Sequence, residues 1–481
     1  MTTPALSHRL GHLPAGAGLT PAWRAVPDRP DGPWRLPVLD GPQWAALLAH
    51  LRGPARARLR QLPVREIMQA IDRTALALLE PGNPGLAGLL AELPAWTGQS
   101  PEMVRVNLQA TLRLYRQSAL QRLLAEELGG ADVLDGFAAR AHGGLSHAEG
   151  VPLIGHVWAG NVPGLPLWGL VSGLLVKSAQ IGKVSLGEPL VASVFAQTLA
   201  QVHPVLGDAL AVLWWDRDDP VAPHTVWPAC DVVQAFGGDA ALASLQQQMP
   251  AGVRFVPHGH KISFGAIGRE ALGPNRIQRV ARLAAEDVVR HEQQGCYSPQ
   301  CWFVEEGGAA PAQEFAERLA AALAQLATRY PRPAPDLASA HRIAQWRSQL
   351  QWQDGVQVIG QAEDPWAVAF HAQPTALTPG PLHRCVQVVA LPDLSALAAQ
   401  LTAWPRHLQS VGLALAPERL QPLALALAAC GVTRLSAVGQ MPLPAPGWHN
   451  DGRPNLIDLV QWVDLEASAE QLAEGLSRYE V

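Results

Sequence analysis

Lysine is almost missing from this chain. Among 36 basic residues only Lys177, Lys183 and Lys261 are lysines, and all the others are arginines. Charge of either sign is sparse, at 16% of residues, and the net charge of -5 excludes the basic excess of a nucleic-acid binder. Cysteine is also scarce. Five cysteines form an odd set with no CxxC pair, which excludes a disulfide framework and a zinc module and suits a reducing cytoplasm. No GxGxxG is present, and the nearest string, AGAGLTP at 15–21, lacks the third glycine and follows no strand. No GxxxxGK[ST] is present either, and HEQQG at 291–295 is not the HExxH of a zinc protease, so no metal site is expected. The 43 glycines and 42 prolines are spread without a period, which excludes collagen-like and low-complexity architectures.

The first thirty residues hold no continuous apolar run, so no secretory signal is expected. Residues 151–176 lack Asp, Glu, Lys and Arg and are long enough to imitate a membrane span, for which about 20 apolar residues suffice. His156, Asn161, Pro152, Pro163 and Pro166 interrupt it, and prolines inside a span break its hydrogen bonding. A buried strand, a loop and a buried helix fit this stretch better, because parallel strands covered on both faces read as unbroken apolar runs.

What is present is core material: 48% of residues are hydrophobic, ample for two or three domains in a chain of this length. Residues 1 to about 60 are rich in Pro and Arg and read as loops and short helices packed on a larger body. Val64, Ile67, Met68, Ile71 and Leu78 recur at helical spacing within 62–80, and 108–128 repeats that pattern up to Gly129-Gly130, a helix-ending pair. Beyond 140 short apolar runs alternate with helical segments: VPLIGHVWAG, LPLWGLVSGLL, PLVASVFAQTLAQV, ALAVLWW and DVVQAF. That alternation predicts a parallel, doubly wound sheet. A second block follows GVRFVPHGHKISFGAIG, with a helix over 277–292, a strand at CWFVEE, a helix over 314–330, and strands near WAVAFHA, RCVQVVAL and SVGLALA.

Three features stand out chemically. The lysines all fall between 177 and 261, and lysine is a compact charge suited to phosphate or ribose hydroxyls in a way arginine is not. Cys296 sits in HEQQGCYSPQCW between a helix and a strand, and its small and polar neighbours leave room for a substrate carbonyl near its backbone N–H. Cys230, Cys301, Cys385 and Cys430 lie in or beside apolar runs and read as packing residues. Asn161, directly after an apolar strand in AGNVP, is either a turn residue or an amide donor to an oxyanion.

The order AGNVP (159–163), KVSLGEP (183–189), AFGGD (235–239), HGHK (258–261) and QGCYSP (294–299) resembles the aldehyde dehydrogenase superfamily. Within it the chain is most similar to the LuxC branch of bacterial acyl-CoA reductases, through AGNVP, the Cys-Tyr-Ser-Pro-Gln run and the closing GWHNDGRPNLIDLVQWVDLE (447–466). The resemblance spans about residue 60 to the C-terminus. It implies an α/β, aldehyde dehydrogenase-like fold with a Rossmann-type nucleotide-binding domain, an α/β catalytic domain and a helical N-terminal region. The expected divisions are 1–140, mostly helical and packed on the nucleotide-binding domain; 141–255, nucleotide-binding; 256–440, catalytic with the nucleophile loop; and 441–481, a segment returning to the core or to an oligomer interface.

Carried over residue by residue, the resemblance makes Cys296 the nucleophile and Asn161 the oxyanion-hole amide. Lys183 and Ser185 then hold the adenosine ribose, Gly237 and Gly238 form the turn near the pyrophosphate, and Lys261 matches a lysine of structural role. Two departures stand out. Pro257-His258 occupies the place of the glutamate that activates water in hydrolytic members, and GPLHRCVQV (380–388) replaces the motif that grips the nicotinamide ribose. The implied activity is NADPH-dependent reduction of a long-chain fatty acyl thioester, such as an acyl-CoA, to the aldehyde through a cysteine acyl-enzyme. His258 and His260 read first as structural or solvated histidines, with proton transfer as the alternative role of either. The implied partners are an acyl-protein synthetase, an acyl-transferase and further copies of the chain. Two other readings stay open on sequence alone: a nucleotide-independent cysteine acyltransferase or thioesterase, and a non-catalytic component of a fatty-acid reductase complex.

Overall fold

A computed structural model describes residues 8–476 except 28, 30, 31 and 142. The parts of the terminal expectations that fall on 1–7 and 477–481 lie outside the described residues. The chain divides into two compact units: residues 1–92, 108–258 and 453–481 form the first, and 93–107 and 259–452 form the second.

The first unit is built on a five-stranded parallel sheet of β1 (Leu153–Val157), β2 (Ala179–Lys183), β3 (Leu210–Leu213), β4 (Val232–Phe236) and β5 (Arg254–His258). The spatial order is β3-β2-β1-β4-β5, with every pairing parallel. Side chains alternate across it, as the pleat requires. Leu153, Ile181, Leu213 and Val233 meet Trp44, Leu47, Leu51 and Trp227 in one core. The other face carries His156 and Gln180, whose Nε2 donates to Leu170 O at 2.9 Å and ties the sheet to the helix Leu165–Leu175. The charge-free stretch is thus a strand, a loop and a buried helix, as its prolines predict. Among the described residues no helix is long and apolar enough to cross a membrane.

Helices of the N-terminal region run over Val64–Ala77, Pro101–Arg113 and Gln117–Leu128, with residues 101–107 of the second of these belonging to the second unit. The single helix expected over 108–128 is two. Asp72 accepts from Gln117 N at 3.0 Å and pairs with Arg116 Nε at 2.5 Å. A carboxylate from a neighbouring helix thereby starts a new helix where the periodicity suggested continuation. Gly129, at φ 78, ends it as its position predicts. The first sixty residues are more regular than their composition suggests. They hold an antiparallel pair, Ala22–Ala25 with Arg35–Val38, and helical chain from Gly41 to Arg60, kinked at Gly53-Pro54. A three-stranded antiparallel sheet of Ala138–Ala139, Leu145–Gly150 and Val460–Leu465 completes this unit.

The second unit carries a seven-stranded sheet of β6 (Ile262–Ile267), β7 (Pro299–Glu305), β8 (Val356–Ile359), β9 (Ala367–His371), β10 (Cys385–Leu391), β11 (Leu408–Ala414) and β12 (Arg434–Ala437). Its order is β8-β9-β10-β7-β6-β11-β12, with only the edge pair β8–β9 antiparallel. Helices Ile277–Val289 and Ala312–Arg329 share one core with Trp302, Val304, Val386 and Val388. Phe264, Cys301, Phe303, Leu408 and Val411 build the other. Helix Leu337–Gln351, β8 and β12 have no counterpart in the sequence reading.

The helix expected over 277–292 stops at Val289. His291, Glu292 and Gln293 turn left-handed, with φ of 52, 53 and 62. So do Leu382, His383 and Arg384, with φ of 65, 56 and 65. Left-handed backbone costs about 1–2 kcal/mol per non-glycine residue, so both runs need outside support. They support each other. Arg384 Nε and Nη2 donate to Glu292 Oε2 and Oε1 at 2.7 and 2.5 Å, with both residues fully inside. His383 N donates to Glu292 O at 3.2 Å, and Gln293 Nε2 donates to Pro299 O and Cys385 O. Burial pushes the Glu292 carboxyl up and Arg384 draws it back. Breaking such a pair strands a charge, typically at about 3–5 kcal/mol, while replacing both members with apolar groups of similar volume is far milder. Glu292→Ala or Arg384→Ala is therefore expected to lower unfolding free energy by about that amount in urea titrations, and Glu292→Leu combined with Arg384→Met by distinctly less than their sum.

Candidate active site

In open parallel sheets ligands bind beyond the carboxyl ends of the strands, at the point where the strand order reverses. In the first unit that point lies between β1 and β4: the chain runs β1, β2, β3 to one side and then β4, β5 to the other. Asn161 follows β1, Lys183 ends β2 and Ser185 follows it, and Gly237 and Gly238 follow β4. The fold thus brings five of the six sequence-predicted residues to one sheet edge. Asn161 is exposed in the loop that leads to Gly164, a φ 87 residue opening the helix Leu165–Leu175.

Packing sets the shape of this edge. A Cβ on Gly160 would lie 2.7 Å from Ser185 Oγ and 2.8 Å from Glu188 N, so glycine here lets the Asn161 loop approach the loop after β2. Gly237 and Gly238 are different: neither has a positive φ, and a Cβ on Gly238 would meet nothing within 4 Å. Nothing within the unit demands glycine at these two positions, which suits an approaching ligand backbone or phosphate. Gly238 opens the helix Asp239–Gln246, whose positive end is shared with its own Asp239. Lys183 is half-buried with its Nζ 5.3 Å from the centre of the Trp215 ring, and burial lowers its pKa against the pull of Asp216 and Asp219. An open edge with a cation, small residues and a helix start fits a dinucleotide.

Only one of the three lysines, Lys183, ends a strand at this edge. Lys177 pairs with Asp135 at 2.6 Å and Lys261 donates to Arg406 O at 3.1 Å, so the lysine cluster in the sequence is not one site. His258 stacks on Phe236 with ring centres 4.3 Å apart.

Cys296 belongs to the second unit, on the turn between the left-handed run and β7. Its carbonyl accepts the Ser263 hydroxyl at 2.6 Å. The backbone N–H groups of Cys296 and Tyr297 and the Gln409 side chain donate toward the sulfur, while burial and the Asp451 carboxylate outweigh them and push the thiol up to about 11. At neutral pH the resting thiol is therefore protonated. Cys230, Cys301 and Cys385 are buried packing residues, and Cys430 is half-buried.

Sequence reasoning missed Glu188. It is 2% exposed, and its Oε1 accepts Leu190 N at 2.7 Å and Val191 N at 2.9 Å, with Gly164 N also donating to the carboxylate. The residue stitches the Asn161 loop to the loop carrying Ser185. Burial raises its carboxyl to about 7. The signal stood in KVSLGEP but had no partner in the linear string. Because the folded value lies above the ordinary 4.5, stability is full below that value and falls as pH climbs to about 7. Melting curves from pH 4.5 to 8 should show this decline reduced in Glu188→Gln; an equally steep decline in the variant removes the assignment.

Residues 59–462 match the acyl-CoA reductase (LuxC) family. Over 217 residues the chain is 30% identical to the long-chain acyl-protein thioester reductase of Aliivibrio fischeri, a stretch that is 44% of each protein. To the Vibrio harveyi protein of the same description it is 23% identical over 384 residues, 78% of this chain and 77% of that one. The chain thus spans less than half the length of the first of these relatives. Among solved structures, aldehyde dehydrogenase 21 of Physcomitrella patens superposes with a TM-score of 0.70 at 11% identity, covering 97% of this chain and 99% of that one. The NADP-dependent glyceraldehyde-3-phosphate dehydrogenase of Bacillus halodurans, complexed with NADP, does so with a TM-score of 0.65 at 13% identity, covering 95% and 99%. With the family match running over most of its length, the chain belongs to the acyl-CoA reductase (LuxC) family and has an aldehyde dehydrogenase-like fold.

Proposed function

We propose that this protein reduces a long-chain fatty acyl thioester to the fatty aldehyde with NADPH, through an acyl-enzyme on Cys296. The observation that carries this reading is the Cys296 turn, where a thiol and two backbone N–H donors meet in a chain of this family. The Cys296 thiolate attacks the thioester carbonyl and expels the thiol of the donor. The Asn161 amide and the Cys296 N–H stabilise the oxyanion of the tetrahedral intermediate, and collapse leaves the acyl group on sulfur. When bound, NADPH supplies the hydride for the acyl carbon. Lys183 and Ser185 would hold its adenosine ribose, with Gly237 and Gly238 leaving room for the pyrophosphate. Pro257-His258 offers no carboxylate to activate water, which favours reduction of the acyl-enzyme over its hydrolysis.

The relatives are described as acyl-protein thioester reductases, so the donor is either acyl-CoA or an acyl group carried by a partner protein. An acyl-protein synthetase and an acyl-transferase are the proposed partners. Homo-oligomerisation is proposed through the strand Val460–Leu465, which exposes Trp462 and Val463. Five unpaired cysteines suit the reducing cytoplasm.

Mixing the protein with NADPH and a long-chain acyl-CoA should lower the absorbance at 340 nm; no change would leave a nucleotide-independent cysteine enzyme. Radiolabelled acyl-CoA should label wild type and Cys301→Ala but not Cys296→Ala, and label persisting in Cys296→Ala would overturn the nucleophile. Asn161→Ala is expected to lower kcat about 10²–10³-fold, the usual loss for one oxyanion donor. Lys183→Ala should weaken NADPH binding in fluorescence titrations, and unchanged affinity would remove Lys183 from the site.

A further inference from the structure

The nucleophile turn is stitched to the amino-terminal ends of β6 and β11. Ser263 Oγ donates to Cys296 O and accepts Ser410 N at 3.0 Å. Ser263 lies where β6 slips register against both β7 and β11, which frees it for these bonds. Beside Ser410 stands Gln409, 1% exposed. Its Nε2 donates to Asp451 Oδ1 at 2.7 Å, and the amide also donates to the Cys296 sulfur. Gln409 Oε1 is buried without a hydrogen-bond partner among the described residues. Asp451 is left-handed at φ 54 and precedes Gly452 at φ 78, so the chain bends sharply to present this carboxylate. Tyr297 and Arg434 are the other titratable groups around the sulfur. Arg434 is committed to Met441 O at 2.7 Å and Gln440 O at 3.0 Å.

We propose that Gln409 is a further catalytic residue, the side-chain donor that holds the Cys296 thiolate. Asp451 is its positioning residue, which orients the amide while opposing ionisation of the thiol. The inference rests on Cys296 being the nucleophile. Physically the two act in opposite directions on one atom. A hydrogen bond to a charged group stabilises the thiolate, whereas a fixed negative charge nearby favours the protonated form. The resting enzyme thereby keeps its thiol protonated and little prone to oxidation, since the thiolate is the species that oxidises.

The test is the rate of iodoacetamide alkylation at Cys296, followed by peptide mass spectrometry on the full chain between pH 7 and 10. Gln409→Ala should slow alkylation at pH 8 about tenfold or more, as a shift of one unit in the thiol implies. Asp451→Asn keeps an acceptor for the Gln409 amide and a side chain that tolerates left-handed backbone, but removes the charge. It should speed alkylation several-fold at the same pH. A merely structural role would move both variants the same way. Shifts in one direction, or no shift in either, overturn the proposal. If Gln409→Ala fails to fold, Asp451→Asn still decides: unchanged or slower alkylation refutes the opposing charge, and Gln409→Glu, which trades the donor for a second acceptor, should then slow it. Alkylation needs neither acyl donor nor NADPH. Loss of radiolabelled acyl transfer with these opposite shifts intact would therefore count against the acyl-enzyme reading, not against the action of Gln409 and Asp451 on the thiol.

Discussion

The buried pair of Glu292 and Arg384 is the constraint on which the second unit's chemistry rests. Six non-glycine residues in two runs take left-handed backbone. Neither run has reason to exist alone. Glu292 must leave the helical path to reach inward, and Arg384 must turn just before β10 begins at Cys385. Each charge is tolerated inside only because the other is there with two-point geometry. Since β7 pairs with β10 in parallel register from Cys301–Gln387 onward, fixing the entry to both strands also fixes the turn that carries Cys296. The segment 380–388, which departs from the superfamily's nicotinamide-ribose motif, is thus occupied in holding the nucleophile turn.

In the first unit the corresponding constraint is close approach. The strand order reverses between β1 and β4, leaving an open edge, and Gly160 and Glu188 draw the loops after β1 and β2 together there. A carboxylate held by helix-start amides takes the place of a longer polar network. Burial raises its carboxyl, and the amides of Val191, Leu190 and Gly164 pull it back.

Much of this was legible in the linear chain. Alternating apolar runs and helical segments mark a doubly wound fold because period and length are local properties. The strands at 153–157, 232–236, 299–305 and 385–391 fall where their β-branched, unbroken runs lie. The string order AGNVP, KVSLGEP, AFGGD and QGCYSP points to the family. Less legible were elements set by a distant partner. The helix break at Arg116 comes from Asp72, and the early end of the helix at Val289 comes from Arg384, more than ninety residues on. The lysine cluster misled, because proximity in sequence placed Lys177 and Lys261 in unrelated ion-pair and carbonyl contacts.

By itself, the sequence determined the family, the type and order of most strands and helices, and the residue types on offer at the candidate site. Hydrophobic periodicity and short motifs are read within a few residues, so the linear string contains them in full. Only tertiary structure decided which polar residues meet. Glu292 with Arg384, Glu188 with the Asn161 loop, and Gln409 with Asp451 and the Cys296 sulfur are pairings across long stretches of chain. Burial then sets the charge state of each, since a carboxyl or thiol removed from water ionises according to the partners folding brings to it.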